Sequence, residues 1–505
     1  MPFIDLNEVR QVGDKDYDFT IVGAGAAGIL LAIKLSRKGY EVRVIESGHF
    51  NLDEKRQILN EVECSAKKLE NAVWGRKRAI GGTTIAWGGQ SLPFRPIDFE
   101  KRDWVKLSGW PIAFDEVSKY YTEANTFMNI DDWGYDAAML EKINLKDQFK
   151  GQDELDYHVS KWANEPNFFK LYKKELEEKT DIYYNALLQQ ISFDNERRAS
   201  SVYVSNFSGK EFLLKTNKLI ICAGGIETVR LMLLNSKEPS QWLGKCFMEH
   251  PCIEVADVVP RKMFELQKLF NTHIYDGRRY SLRLSLSQEM QKKNGLLNCS
   301  ASIMFTPPEG KPNIYAEMKA FRNDKKFKRL IRISGNLPGL AKSLTTYIFN
   351  RFYYKADALA KLSLMIEQEP QAESNISLGN SSDLFGKKKA NIHWSISEKT
   401  WKTAVAISTA VKKLLESRGI AQVNIYPSIK DGNTKYQDLL SDVNHHMGGT
   451  RMCNSPHSGV VDTDLKVWNT NNLYLCSTSV FPTVSHSNPT LTLLALGCRL
   501  VDHLT

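Results

Sequence analysis

The sequence predicts an α/β fold, a Rossmann-like dinucleotide-binding domain joined to a second, largely antiparallel sheet. Three observations predict it. An apolar, β-branched run at residues 17–22 enters a glycine turn, Gly23-Ala24-Gly25-Ala26-Ala27-Gly28, followed at once by an apolar helical stretch. A second buried-strand pattern, Leu219-Ile220-Ile221, runs into Gly224-Gly225 and another helix. From about 253 to 393, apolar and polar residues alternate in several short runs, the pattern of half-buried strands.

In the first unit each glycine has a task. Gly23 allows the tight turn, Gly25 lets the backbone approach a pyrophosphate, and Gly28 permits close helix–strand packing. The helix is expected to stop near Lys38-Gly39, after a basic last turn. A second strand at 41–45 delivers Glu46, about twenty residues past the turn, where the fingerprint places a ligand for a ribose hydroxyl. The helix N-terminus, with its free N–H groups, suits phosphate.

Further along, Gly81-Gly82-Thr83-Thr84 and Trp87-Gly88-Gly89 form a glycine-rich loop able to run backbone against a flat ring. Residues 114–125 read as a helix, 181–216 as a meander, and 400–416 as a helix against the second sheet. The last helix is expected over 491–504, with Asn488 as its N-cap and Pro489 in its first turn. Just before it stands His446-Met447-Gly448-Gly449-Thr450.

At 505 residues the chain can hold two or three domains. Its net charge of +9 is mild for this length and, with no zinc-finger or RNA-binding signature, argues against nucleic acid as a partner. Eight cysteines without Cys-x-x-Cys spacing indicate neither a disulfide framework nor a metal site. No apolar run reaches membrane-spanning length and the polar N-terminus lacks a signal core, so a reduced, cytoplasmic enzyme is expected. Between residues 319 and 355 about ten Lys and Arg face one acid, Asp324, with aromatics interleaved. A solvated helix face accounts for this; weak membrane-surface contact is the alternative.

Taken together, these motifs resemble the glucose–methanol–choline (GMC) family of FAD-dependent oxidoreductases. The resemblance rests on the glycine turn with Glu46, the 81–89 loop, Phe94-Arg95-Pro96-Ile97-Asp98-Phe99 and Ser108-Gly109-Trp110-Pro111. It continues through Cys222-Ala223-Gly224-Gly225-Ile226-Glu227-Thr228, Met248-Glu249-His250-Pro251, the His446 motif, Gly459-Val460-Val461-Asp462, and Ser479-Val480-Phe481-Pro482-Thr483 through Asn488-Pro489-Thr490. The sugar dehydrogenase and pyranose oxidase-like branch is the most similar.

The resemblance implies a GMC/p-hydroxybenzoate hydroxylase-like fold. Residues 1–110, 181–252 and 436–505 would build the FAD domain, 111–180 an insertion on the substrate side, and 253–435 the substrate domain. The implied chemistry is oxidation of a small alcohol or sugar, with hydride passing to the flavin and on to an external acceptor (oxygen, a quinone or a redox protein). His446 matches the family's base, the His-x-x-Gly-Thr spacing selecting it over His445, and Asn488 fills the slot of its second His or Asn. FAD contacts would come from Gly23, Gly25, Ala26, Ala27, Gly28, Glu46, Ser47, Arg78, Gly81, Gly82, Thr83, Thr84, Trp87 and Gly88. Leu188, Ala223, Gly224, Thr228, Ser479, Pro489 and Thr490 complete that set. Gln368 and His486 are candidates for the substrate, and His250 reads as structural. Where some members attach flavin covalently to histidine, this chain has Ala86, so non-covalent FAD is expected. Alternatives are a flavin-containing lyase of the same fold, or a non-catalytic flavoprotein subunit that binds a partner or membrane. An NAD-dependent Rossmann enzyme would leave the glycine-rich loop and the C-terminal return without a role.

Overall fold

The computed structural model describes residues 3–13, 15–145, 153–309, 337–430 and 436–505. Six parallel strands form its first layer, in the spatial order Phe3–Asp5, Asp181–Tyr184, Val42–Ile45, Phe19–Val22, Lys218–Ile221 and Leu473–Leu475. Buried on both sides, the central strands are near-continuous Ile, Val and Leu. Helix Ala26–Arg37 packs against the C-terminal helix Thr490–Leu504, so the two ends of the chain share one core. Asp181–Tyr184, expected in the meander, instead pairs in parallel with Phe3–Asp5 and Val42–Ile45. The meander proper is Leu187–Phe193, Ala199–Ser205 and Glu211–Lys215. The helix expected over 114–125 is split into Phe114–Ser118 and Tyr121–Phe127.

The second layer is an antiparallel sheet in the order Ala421–Ile425, Cys252–Pro260, Leu359–Ile366, Cys299–Thr306, Arg278–Leu286, Leu155–Trp162 and Gln90–Ser91, with His273–Tyr275 on the side of Arg278–Leu286. It draws strands from outside residues 253–435, because strand pairing is set by tertiary packing and not by position in the chain. Helix Glu398–Ser417 packs on it through Ala404, Ile407, Val411, Leu414 and Leu415. A third small sheet joins Asn375–Ser382, Lys388–His393 and Val62–Cys64.

Residues 94–110 tie the two layers together. Trp110 donates to Thr483 Oγ1 at 2.9 Å, and the buried Arg102 guanidinium forks onto Glu367 of the roof, Nη1 lying 2.8 Å from Oε2. Among the described residues no helix is long and apolar enough to cross a membrane. Of the basic 319–355 stretch, residues 319–336 lie outside the described residues. The rest includes helix Leu337–Asn350, which exposes Leu344, Tyr347, Ile348 and Phe349.

Candidate active site

The parallel strands end in backbone that must turn sharply, and the sequence provides for it. Gly23 has φ +104°, and a Cβ there would lie 2.6 Å from Cys222 O. Gly28 brings the helix onto that turn, since a Cβ on it would lie 1.8 Å from Gly23 O. A cavity of about 890 Å³ opens at these carboxyl ends, lined by Val22, Ile45, Cys222 and Cys476 from the strand ends. It is large among small-molecule pockets, about 300–1,000 Å³, as an elongated dinucleotide requires.

Most predicted cofactor residues line it: Gly23, Gly25, Ala26, Ala27, Glu46, Ser47, Arg78, Gly82, Thr83, Thr84, Trp87, Gly88, Leu188, Ala223, Gly224, Pro489 and Thr490. The helix N-terminus at Gly25 has no side-chain cap and no acid in its first turn, leaving its amides for an anion. Gly82 faces Gly25 so closely that a Cβ would lie 2.7 Å from Gly25 Cα, a slot of bare backbone. Glu46, at the end of its strand, accepts from Ala24 N at 2.8 Å and Gly48 N at 2.6 Å. Burial lifts its carboxyl above the usual range. These features fit FAD.

Four predicted cofactor residues do not line the cavity. Gly28 and Gly81 act through packing: Gly81 donates its N–H to Ala24 O at 2.8 Å and leaves no room for a side chain beside Ile85. Ser479 is consumed by Thr450 and Ser477, and Thr228 is fully buried. The substrate assignment of Gln368 is corrected. Its side chain is buried, accepting from Glu249 N and Trp394 Nε1 and donating to Ser395 O, so it has nothing left to offer a ligand. His486 is buried against His158, their rings stacked at 5.1 Å, and does not line the cavity.

The two neighbouring histidines diverge. Both line the cavity, yet His446 turns Nε2 towards Glu249 Oε2, 3.6 Å away, and lies over Phe247. His445 instead meets the predicted carboxamide, its Nε2 lying 3.4 Å from Asn488 Nδ2. Asn488 is accordingly not a helix cap. Pro489 occupies that position without a side-chain bond, and the helix starts at Thr490. Behind His445 runs a relay. Its Nδ1 is 2.9 Å from His250 Nδ1, and His250 Nε2 donates to Val484 O at 3.1 Å. Burial lowers His250 to about 4, so it is neutral, with its one proton on Nε2. Its Nδ1 must accept, which assigns the His445 proton to Nδ1 and leaves the Nε2 lone pair facing the Asn488 amide. Burial also pushes His445 well below its ordinary value, helped by the neighbouring imidazoles and Arg283.

Beneath lies a proton-holding cluster in which Glu249, Asp442 and His446 place one polar atom each within 4.8 Å of one another. Burial raises Glu249 to about 8 although three backbone N–H groups converge on it, and burial raises Asp442. His446 is lowered to about 3 by burial and by Arg76.

A family model described as GMC oxidoreductase matches residues 370–497, and one described as an NAD(P)-binding Rossmann-like domain matches 21–50. Residues 370–497 are thus similar to the GMC oxidoreductase family. Fructose dehydrogenase large subunit of Gluconobacter japonicus is 20% identical over 96% of this chain and 97% of its own length. 2-Methyl-1,2-propanediol dehydrogenase of Mycolicibacterium austroafricanum is 19% identical over 97% and 95%. A 121-residue stretch is 31% identical to 6'''-hydroxyparomomycin C oxidase of Streptomyces lividus, spanning 21% of this chain and 22% of that protein. Among solved structures, pyridoxine 4-oxidase from Mesorbium loti shares the fold, with TM-score 0.58 and 13% identity over 97% of this chain and 99% of that one.

Sequence spacing missed several site residues. Gln90 and Trp162 carry no local signature and reach the cavity only because their strands pair in the roof, while His250, read as structural, supports His445. Arg78 shares Glu227 at 3.1 Å with Arg230 at 3.0 Å, a network foreshadowed only by the Glu227–Arg230 helical spacing.

Proposed function

We propose that the protein oxidises the CH–OH group of a small alcohol to the carbonyl, the substrate being a sugar or another polyhydroxylated or cyclic secondary alcohol. One observation carries the reading: a lone pair on His445 Nε2 held beside the Asn488 amide in the cavity by the Val484–His250 relay. FAD, when bound, supplies the hydride acceptor. The role of base assigned by spacing to His446 passes in this reading to His445, which takes the hydroxyl proton on Nε2 while Nδ1–H stays anchored on His250. Asn488 donates to the oxygen as negative charge develops on it. Gly23, Gly25 and Gly82 keep backbone at the cofactor's phosphates, and Glu46 its ribose. Ala86, at the cavity wall, offers no nucleophile, so the cofactor dissociates. Two relatives of similar length are dehydrogenases, which favours an external electron acceptor over oxygen.

The test compares His445→Ala with His446→Ala, following loss of flavin absorbance under anaerobic conditions after an alcohol is added. His445→Ala is expected to slow that loss about 100-fold or more with flavin still bound. His446→Ala should slow it less than tenfold, about 1.4 kcal/mol. The reverse order overturns the assignment. Turnover of an alcohol without any change in flavin absorbance points to the lyase.

A further inference from the structure

The antiparallel roof has two unlike faces. In an antiparallel pair, residues directly opposite carry their side chains to the same face. Leu282, Leu284, Ala301, Ile303, Leu362 and Leu364 fill the core under helix Glu398–Ser417. The register pairs Arg283 with His158, and Ser285 with Ser300, on the opposite face. The pair Gln90 and Trp162 lies on that same face, and both line the cavity. Gln90 and Trp162 thus carry the edge of this polar face to the cavity wall, with Arg283 directly behind Gln90.

At its centre is a guanidinium without a counterion. Arg283 donates from Nη2 to Gln90 Oε1 at 3.3 Å, and among the described residues no carboxylate pairs with it. Arg95, nearby, is already matched by Asp156 at 3.0 Å and Ser285 Oγ at 3.1 Å. Buried polar atoms around Arg283 also lack protein partners: Gln90 Nε2, Ser300 Oγ, and both ring nitrogens of His158 and of His486. Buried polar groups are ordinarily satisfied, and a half-buried guanidinium ordinarily finds a carboxylate. A cation ringed by uncommitted hydrogen-bonding groups, within electrostatic reach of His445, is built to receive an anion.

We propose that Arg283, with His158 and Gln90, binds the carboxylate of a hydroxy acid whose hydroxyl is presented to His445 and Asn488. A single fork-shaped guanidinium matches one planar carboxylate; a phosphate dianion would leave charge unmatched. This rests on the alcohol-oxidation reading above and narrows its substrate class.

The FAD-loaded protein is tested with aldonates and alditols of equal chain length, following flavin absorbance anaerobically. Valerate, which has no hydroxyl, is titrated separately as a binding probe by its perturbation of the flavin spectrum. The acid is expected to exceed the alditol in kcat/KM by about 10- to 100-fold, the range of a charge-assisted contact. Arg283→Gln should collapse that ratio towards one and weaken valerate by a similar factor, with Arg283→Lys intermediate. Alditols that outperform acids in the unaltered protein overturn the subsite while leaving alcohol oxidation standing, so a misfolded variant does not block the decision. Equal valerate binding by the unaltered protein and a folded Arg283→Gln, or none by either, also overturns it. Arg283-dependent valerate binding with no flavin response to any hydroxy acid supports the subsite and refutes the alcohol-oxidation reading instead.

Discussion

Replacing His250 by leucine isolates the part of the site that sequence reading called structural. His250 Nδ1 accepts the His445 Nδ1–H at 2.9 Å, and leucine fills similar space without an acceptor. A buried donor left unmatched costs about 1–3 kcal/mol. The imidazole avoids that cost by moving its proton to Nε2, the nitrogen that must accept from the alcohol. The productive tautomer is then disfavoured by that same amount, a loss of about 5- to 150-fold in rate. The assay is the anaerobic rate of flavin absorbance loss at saturating alcohol, where the change should appear in kcat and leave KM nearly untouched. Asparagine at 250 retains an acceptor oxygen and should restore most of the rate. The pH profile gives a second reading. His250 is lowered to about 4 by burial, and His445 is depressed for the same reason, so the neutral, active relay persists well below the ordinary histidine value. The unaltered enzyme should show no half-maximal fall near pH 6.5. A folded, flavin-loaded His250→Leu with an unchanged rate refutes the relay.

Asn488→Ala should lower kcat about 100- to 1,000-fold, as removal of a donor to a developing oxyanion does, and a rate within threefold would exclude that role. Arg102→Ala strands the fully buried Glu367 carboxylate and should cost about 3–5 kcal/mol of stability, read as a lower denaturation midpoint. Glu249, raised to about 8 by burial, binds its proton more tightly folded than unfolded. Its contribution is therefore complete below the ordinary carboxyl value and lost as pH rises through about 8. The melting temperature should fall between pH 5 and 9, and Glu249→Gln should flatten that fall; equal slopes would show the carboxyl is ionised throughout. Acid precipitation should leave the flavin in the supernatant, and yellow pellets would contradict dissociable FAD.

What was legible in the sequence was local. The strand, glycine turn, helix and acid at 17–46 lie within thirty residues, and each states its own requirement: Gly23 and Gly28 admit no side chain. The roof was legible as an antiparallel sheet but not in its full membership, because the pairing of Gln90–Ser91 with Leu155–Trp162, and of Leu155–Trp162 with Arg278–Leu286, depends on packing that no window contains. Asp181–Tyr184 reads like the meander beside it, yet its apolar Ile182 and Tyr183 are captured by the parallel core. Gln368 looked like a substrate contact because it is polar on a roof strand. Its four-way bonding to Glu249, Trp394, Phe247 and Ser395 is invisible until the chain folds.

In the proposed reading, the choice between His445 and His446 as base rests on tertiary contact and not on spacing. The segment is clamped as a narrow antiparallel bridge, Met447 N donating to Met248 O and Met248 N to Met447 O, each at 2.8 Å. Extended backbone sends consecutive side chains to opposite sides. The two imidazoles therefore reach different parts of the cavity wall, and no count of residues to the glycines says which of them meets Asn488. Tertiary contact decides. Gly225 has no room for a Cβ because His446 O would lie 2.1 Å from it, and a Cβ on Gly448 would lie 1.9 Å from Cys246 O. Helix Gly224–Asn235 on one side and the 246–250 segment on the other thus press the bridge into a single register. His446, wedged between Phe247 and Glu249, is what that register costs in buried polarity; His445, turned to Asn488, is what it delivers.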